Sequence, residues 1–259
     1  MKKMIGLVIA FSTAALLADY ITFTGANNNS LSPTGGVSVA GNWIGGALPS
    51  GSSTGLVNQT GNVWAGTTPW ADFSLLQTGG YINGGTNPVP MRHNVKYIID
   101  DARKDYSTYT NYAGSSIMIW VDTSSSAGAP TEISLLRGHI VLTGTLTMNS
   151  AGGVVNIKDG LFKMAGFTGS NSGRMNFLTG GDGEVVIDKI MSTGMLSFFN
   201  FETGFTGSLT INKANDDARF RISHFNSWMK NGKIMIDGVV QTDPSKFKIT
   251  GGTIELIPE

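Results

Sequence analysis

The residues best suited to chemistry in this sequence are two short runs of carboxylates. Asp100 and Asp101 stand at the end of a predicted strand. Asp216 and Asp217 stand in a polar turn further along the chain. Carboxylate oxygens bind Ca²⁺, and a pair of carboxylates can act as acid and base on a glycan. All four residues are therefore candidate Ca²⁺ ligands, and no other cofactor is implied.

The spacing of these carboxylates favours a simpler role. Consecutive residues of a strand point to opposite faces, so Asp100 and Asp101 do not converge if both belong to the strand. The turn with Asp216 and Asp217 lacks the alternating pattern of a calcium-binding loop. A solvated strand end and an ordinary polar turn are the favoured interpretations.

Three tryptophans form the second candidate site. Trp43, Trp64 and Trp70 lie in a stretch rich in Asn and Thr, in which Asp72 is the only charged residue from residue 20 to residue 91. An exposed aromatic ring beside amide and hydroxyl groups suits a sugar, which stacks on the ring and bonds to the polar groups. The alternative, which the sequence favours, is that these rings seal the first turns of the fold.

No familiar catalytic motif occurs in the sequence. His93, His139 and His224 are spaced too widely for a metal motif, and there is no cysteine. The serine-hydrolase elbow, the zinc-protease helix motif and the phosphate-binding loop are all missing from the sequence. No catalytic residue is assigned, so a non-enzymatic role is favoured while an enzyme stays open.

Composition narrows the class of protein further. Charged residues make up 14% of the chain, 18 basic and 18 acidic, well below the usual share of about 25%. Gly, Ser, Thr and Asn together supply about 40% of the residues. This composition favours strands and turns over helices. A net charge of zero argues against a nucleic-acid partner, which requires a basic patch.

The first eighteen residues have the layout of a secretory signal peptide. Lys2 and Lys3 precede an apolar run over 4–17, and Ala18 precedes Asp19. The run is short for a membrane-spanning helix, and no later segment is apolar enough for one. We therefore expect a secreted or cell-surface protein with no membrane span in its mature form. Export without cysteine is typical of a bacterial source.

Beyond the leader, the sequence predicts a Gly-, Thr- and Asn-rich β-strand region over 19–130 and a second region over 131–259. The second region alternates apolar and polar residues with period two. For example, Ile140, Leu142, Leu146 and Met148 share one face of a predicted strand. Such alternation puts one face in a core and the other in water. No window from residue 131 onward has a helical stripe.

Two all-β architectures fit this pattern. Strands recur every 10 to 14 residues with Gly or Asn-Gly turns between them. A parallel β-helix, or β-solenoid, with an irregular β-rich N-terminal cap is favoured, because Thr- and Asn-rich outer faces can stack into ladders. A β-sandwich is the alternative.

One predicted strand places Phe220 and Ile222 on one face with Arg219 and Arg221 on the other. The last predicted strand, over 253–257, has no capping helix after it. Its unpaired backbone groups must therefore pair with another chain or be covered by the N-terminal region. Self-association through the solenoid ends is thus one predicted partner interaction, and an extracellular glycan is the other.

The N-terminal sequence resembles the opening of secreted bacterial β-helical surface proteins of the autotransporter-passenger type. The resemblance rests on Tyr20-Ile-Thr-Phe-Thr-Gly25, on Gly41-Asn-Trp-Ile-Gly-Gly-Ala-Leu-Pro49 and on Thr54-Gly-Leu-Val57. In that family an aromatic-Thr-Gly segment is followed by Asn-Trp-x-x-Gly-x-x-Pro and an apolar strand; here Phe23 stands where Trp is common. The resemblance implies a secreted, repetitive β architecture and no catalytic residues.

Together these observations predict a secreted or cell-surface, non-enzymatic structural or adhesin-like β-solenoid protein of a bacterium. The alternatives are a polysaccharide-active lyase or hydrolase on a β-helix scaffold, and a glycan-binding module that uses Trp43, Trp64 and Trp70.

Overall fold

The fold was obtained as a computed structural model. It describes residues 20–22, 24, 40–47, 54–57, 62–64, 74–77, 81–85, 89–91, 96–100, 112–114, 117–119, 132–148, 153–169, 173–191, 197–214 and 217–258. The predicted leader over 1–18 lies outside these residues. In the described part of the chain there are twenty-one strands, one α-helix and two short 3-10 helices.

The strands are numbered in chain order: β1 (Tyr20–Thr22), β2 (Thr54–Val57), β3 (Asn62–Trp64), β4 (Ser74–Gln77), β5 (Tyr81–Gly85), β6 (Val89–Met91), β7 (Lys96–Asp100), β8 (Tyr112–Gly114), β9 (Ile117–Ile119), β10 (Glu132–Arg137), β11 (His139–Met148), β12 (Val154–Ile157), β13 (Leu161–Thr168), β14 (Arg174–Phe177), β15 (Glu184–Ile190), β16 (Phe198–Phe201), β17 (Ser208–Ala214), β18 (Ile234–Ile236), β19 (Val239–Val240), β20 (Phe247–Thr250) and β21 (Thr253–Leu256). The α-helix, α1, spans Ile222–Lys230, and the 3-10 helices span Ala40–Asn42 and Pro244–Lys246.

These strands form two long sheets. The first sheet has the order β1-β2-β4-β7-β10-β12-β14-β16-β18-β19, and the second has the order β20-β21-β17-β15-β13-β11-β8-β5-β3, with β6 and β9 joined beside it. Neighbours within both sheets are parallel until the last strands. Each coil thus adds one strand to each sheet, so the chain is a parallel β-solenoid, as predicted, and not a sandwich.

The coils are short where the stacking is most regular. Paired residues in β10, β12, β14 and β16 are 20 to 24 positions apart in the sequence. Longer coils hold insertions, as between Phe199 and its partner Ile234, which are 35 positions apart and enclose α1. Strand β7 of the N-terminal region pairs directly with β10, so the first sheet continues across residue 130.

Period-two alternation fills the interior. Inward positions such as Val155, Met175 and Phe199 are fully buried, and they stack on one another from coil to coil. The face predicted for Ile140, Leu142, Leu146 and Met148 is buried as well. The interior therefore forms one continuous apolar column that runs along the solenoid.

The second sheet turns a corner within single strands. In β15 the buried residues Ile187 and Ile190 are three positions apart, with two outward residues between them. The same three-residue spacing separates Ile211 from Ala214 in β17. Two consecutive outward residues break the alternation, so the strand bends there and begins another face.

Close approach of the coils requires glycine near the start of these strands. A Cβ added at Gly207 would lie 2.0 Å from the carbonyl oxygen of Gly183 on the preceding coil. Ser208 donates its backbone N–H to that same oxygen at 3.1 Å. A side chain at position 207 would thus push the two coils apart and break their hydrogen bond.

Outward side chains on the first sheet form an asparagine ladder, which we define as Ser134, Asn156, Asn176 and Asn200. These residues are in register on four successive coils. Each amide donates its Nδ2–H to the residue before it, at 3.0 Å from Asn156 to the Ser134 Oγ and at 2.8 and 3.2 Å along the two amide-to-amide steps. The ladder ends where the Asn200 Oδ1 accepts the backbone N–H of Gly238 at 2.7 Å.

Asn176→Ala is expected to destabilise the solenoid by about 1–3 kcal/mol, because it removes the hydrogen bond donated to Asn156 and the one accepted from Asn200, whose largely buried amide then loses its acceptor. Urea unfolding followed by circular dichroism measures the change. The control is Arg174→Ala in the same strand, at an exposed outward position. Equal losses for the two variants would contradict a role for the ladder.

The C-terminal end of the solenoid is closed by α1 and by aromatic side chains. Helix α1 buries Phe225, Trp228 and Met229, whose spacing of three and four residues makes one face. The Trp228 ring lies edge-on to Phe199 at 6.2 Å between centroids, and Phe225 lies similarly against Phe247 at 5.2 Å. The helix therefore covers the end of the apolar column.

Helix α1 corrects two predictions. Residues after 131 do contain a helix, and Ile222 belongs to its first turn, where it is 57% exposed, instead of sharing a buried strand face with Phe220. Phe220 itself is 3% exposed and packs on Trp228. The alternation held for Phe220 only because the backbone is still extended at Arg221, one residue before the helix.

The last predicted strand is also corrected. It is present as β21, but it pairs antiparallel with β17 on one side and with β20 on the other. It is therefore neither a free edge nor covered by the N-terminal region, whose described strands β1 and β3 stand at the opposite ends of the two sheets. The free edges at this end are β19 and β20.

Candidate functional site

The outward face of the first sheet is a long surface whose residues stay in register from coil to coil. Before the asparagine ladder, the same register position is occupied by Leu56, Leu76 and Ile98, all partly exposed. The row then continues through the ladder. Asn156 also donates to the Glu132 Oε1 at 3.1 Å, so both of its amide hydrogens are used within the surface. The row therefore offers apolar contact along its first half and, along the second, a hydrogen-bonded polar face in which Ser134 and Asn200 are buried.

Asp100 is held within the solenoid surface. Its carboxylate makes an ion pair with the Arg137 guanidinium of the next coil, with 2.5 Å between Oδ1 and Nε. A charge pair of this kind ties neighbouring strands together. Asp101 lies outside the described residues, so the pairing of the two carboxylates stays untested.

Asp217 is likewise paired, with a histidine that lies in the first turn of α1. The His224 Nε2 is 2.6 Å from the Asp217 Oδ2, and the His224 Nδ1 accepts the backbone N–H of Arg221 at 3.0 Å. Since Nδ1 accepts a hydrogen bond, the ring proton is on Nε2 and points at the carboxylate. Both ring nitrogens are thus engaged in fixing the start of α1. Asp216 lies outside the described residues.

A further set of carboxylates, which the sequence analysis did not identify, caps the corner turns. The Glu202 Oε2 accepts the backbone N–H of Thr179 at 2.9 Å, and the Asp159 Oδ1 accepts that of Asp182 at 3.2 Å. A repeat in the sequence could have revealed these turns, because Asn-Phe-Leu-Thr-Gly at 176–180 recurs as Asn-Phe-Glu-Thr-Gly at 200–204. Each carboxylate satisfies a turn on an adjacent coil.

Asp237 caps a turn through two hydrogen bonds. Its two oxygens accept the backbone N–H and the hydroxyl of Thr203, at 2.9 and 2.7 Å. These hydrogen bonds, led by the one from the hydroxyl, lower the pKa of Asp237 below its ordinary value. Its backbone has φ +50°, a left-handed conformation that Asp and Asn tolerate better than most residues.

Asp237→Asn is expected to lower stability at neutral pH by about 1 kcal/mol or less, since the carboxylate is exposed and solvent screens it. The backbone is preserved, so the change reports the charge. A lowered pKa contributes stability above the unfolded value of about 3.9, which is lost as the pH falls through the folded value. Thermal melts from pH 7 to pH 3 should therefore show a difference that shrinks with acid. A constant difference would contradict this assignment.

The tryptophan candidates are placed only in part. Trp43 is 2% exposed and belongs to the apolar column, so its ring is not offered to a sugar and the sealing role describes it better. Trp64 ends β3, but its side chain is not among those described. Trp70 lies outside the described residues.

The described residues contain neither a cluster of metal-ligating side chains nor a membrane-spanning helix. Among the described residues, no three His, Cys, Asp or Glu side chains come together in a way that could hold a metal ion. Within the same residues, none of the helices has the length and apolarity needed to span a bilayer.

Comparison with protein-family models, curated proteins and solved structures finds no match.

Proposed function

We propose that this chain is a secreted or cell-surface bacterial protein with a structural or adhesive role and no reaction of its own. One observation carries the proposal: the described carboxylates that the sequence singled out serve the solenoid instead of converging on a substrate. Asp100 joins two coils and Asp217 fixes the start of α1. Export is supported by the signal-peptide layout of residues 1–18.

A rigid body suits this role. Backbone pairing joins successive coils, and the asparagine ladder and the carboxylate caps of the corner turns add side-chain hydrogen bonds between the coils from β10 to β18. The outward row from Leu56 to Asn200 then presents a surface that is regular along the solenoid. Binding through such a surface is spread over several coils, so it requires no deep pocket.

The test is expression of the full chain in a bacterial host, followed by fractionation and incubation with neutral and acidic polysaccharides. We expect export with cleavage before Asp19, because that is where the signal layout ends, and retention on a polymer without release of reducing ends or unsaturated sugars. Full-length chain held in the cytosol would contradict export. Turnover that Asp100→Asn abolishes would replace the adhesive role with an enzymatic one.

Self-association through the solenoid ends remains part of the proposal, now assigned to β19. This two-residue strand stands at the edge of the first sheet, and its Val239 and Val240 are 64% and 46% exposed. An apolar edge strand is a template for pairing with a second chain.

Val239→Lys is expected to weaken such association by at least tenfold, because an edge lysine opposes strand pairing. Light scattering after size exclusion at several concentrations measures it. The control is Ile44→Lys, which adds the same charge at an exposed residue beside β1, at the opposite end of the first sheet. A wild-type chain that is monomeric at every concentration would end this part of the proposal.

A further inference from the structure

An open cavity of about 400 Å³ lies where β17 meets the chain leading into α1. It carries two guanidinium groups and a turn made of two glycines. We call it the arginine cavity, and its lining residues are Ile211, Asn212, Arg219, Phe220, Arg221, Gly251 and Gly252.

The two arginines of this cavity flank Phe220 in the sequence. Phe220 is buried against Trp228, and the backbone at Arg221 is extended, with φ −132° and ψ 154°. The buried ring of Phe220 therefore separates two exposed arginines along the chain, and both of them line the cavity.

The two guanidiniums have unused binding capacity. Neither makes an ion pair in the described part of the chain, and both residues are exposed. The carboxylates around the lining are otherwise engaged: Asp188 accepts the side-chain amide of Asn212 at 2.9 Å, and Asp217 pairs with His224. Each guanidinium carries five N–H donors, and both arginines line a cavity in which no described carboxylate pairs with them.

The opposite wall of the cavity is bare backbone. Gly252 approaches Ile211 so closely that an added Cβ would lie 2.2 Å from the Ile211 carbonyl oxygen. Gly252 and Gly251 form the turn between β20 and β21, so no side chain fills this side of the cavity. A ligand held by the arginines can then lie directly against the turn.

We propose that the arginine cavity binds the carboxylate or sulfate group of an acidic saccharide. Planar guanidiniums recognise such groups by paired hydrogen bonds. The volume suits a small ligand or a few sugar units. A nucleic acid would require a longer track of positive charge, and the chain has no net charge. This inference names a ligand class for the adhesive role proposed above, and it rests on that role.

The test is isothermal titration calorimetry of the purified full chain with trigalacturonate, a chondroitin sulfate tetrasaccharide, neutral maltotriose and inorganic phosphate. We expect at least one acidic saccharide to bind and maltotriose not to. Arg219→Gln and Arg221→Gln should each weaken binding about tenfold, as loss of a charged hydrogen bond does, and the double variant should abolish it.

Two controls make the result specific. Lys230→Gln removes one positive charge outside the cavity and should leave binding unchanged. Circular dichroism should show that the arginine variants keep their fold, because both side chains are exposed and the contacts of Arg221 to α1 use its backbone.

Unchanged binding in the double variant would overturn the proposal, as would equal binding of maltotriose. Binding of inorganic phosphate alone would overturn the saccharide class. Each of these results concerns the cavity and leaves export and polymer retention, tested separately above, as they stand.

Discussion

Parallel, in-register pairing places each residue of one coil beside the equivalent residue of the next, about 4.8 Å away. Every outward position within the stack therefore has a register partner directly above and below it. Like charges in that arrangement repel, whereas amides bond to one another and aromatic rings stack. The low charge content, the asparagine ladder and the stacked rings of Phe177 and Phe201, 4.4 Å apart, follow from this constraint. Lys189 beside Lys213 is a like-charged pair, and both are partly exposed, where water weakens the repulsion.

The end of the stack is built differently, because the last coil has no further coil to pair with. At the C-terminal end the chain reverses direction, so that β18 and β19, and likewise β20 and β21, pair antiparallel. Short hairpins finish the backbone ladders, while α1 covers the apolar column from the side of Phe199 and Phe247. Closure of the end thus uses local structure that differs in kind from the coils.

Period-two alternation in the sequence predicted several strands of the second region, such as those over 139–148 and 174–177, but it fitted a sandwich as well as a solenoid. The Thr- and Asn-rich outer faces are what favoured the solenoid. The alternation failed at Ile222. The backbone is extended up to Arg221, so the alternating pattern runs on into the first residue of α1, and the helix is only nine residues long, too short to show a clear helical stripe. The alternation also could not reveal the pair of Asp100 with Arg137, since the partners are 37 residues apart and are joined only by stacking. The cap at Glu202 follows from the 24-residue repeat, which becomes informative only when a coil length is known. The cap from Asp237 to Thr203 spans 34 residues and lies outside that repeat.

The variable coil lengths have a consequence for how such a chain can change. Stacking fixes the positions of the strands, but the connections between them vary in length. Register partners are 35 residues apart at Phe199 and Ile234 and 20 residues apart at Val154 and Arg174. Duplication of one whole coil would lengthen the body and preserve every contact at its junctions. The near-identical segments at 176–180 and 200–204 have the form that such a duplication leaves. The protein can thus grow by units, with the closure at its C-terminal end carried outward.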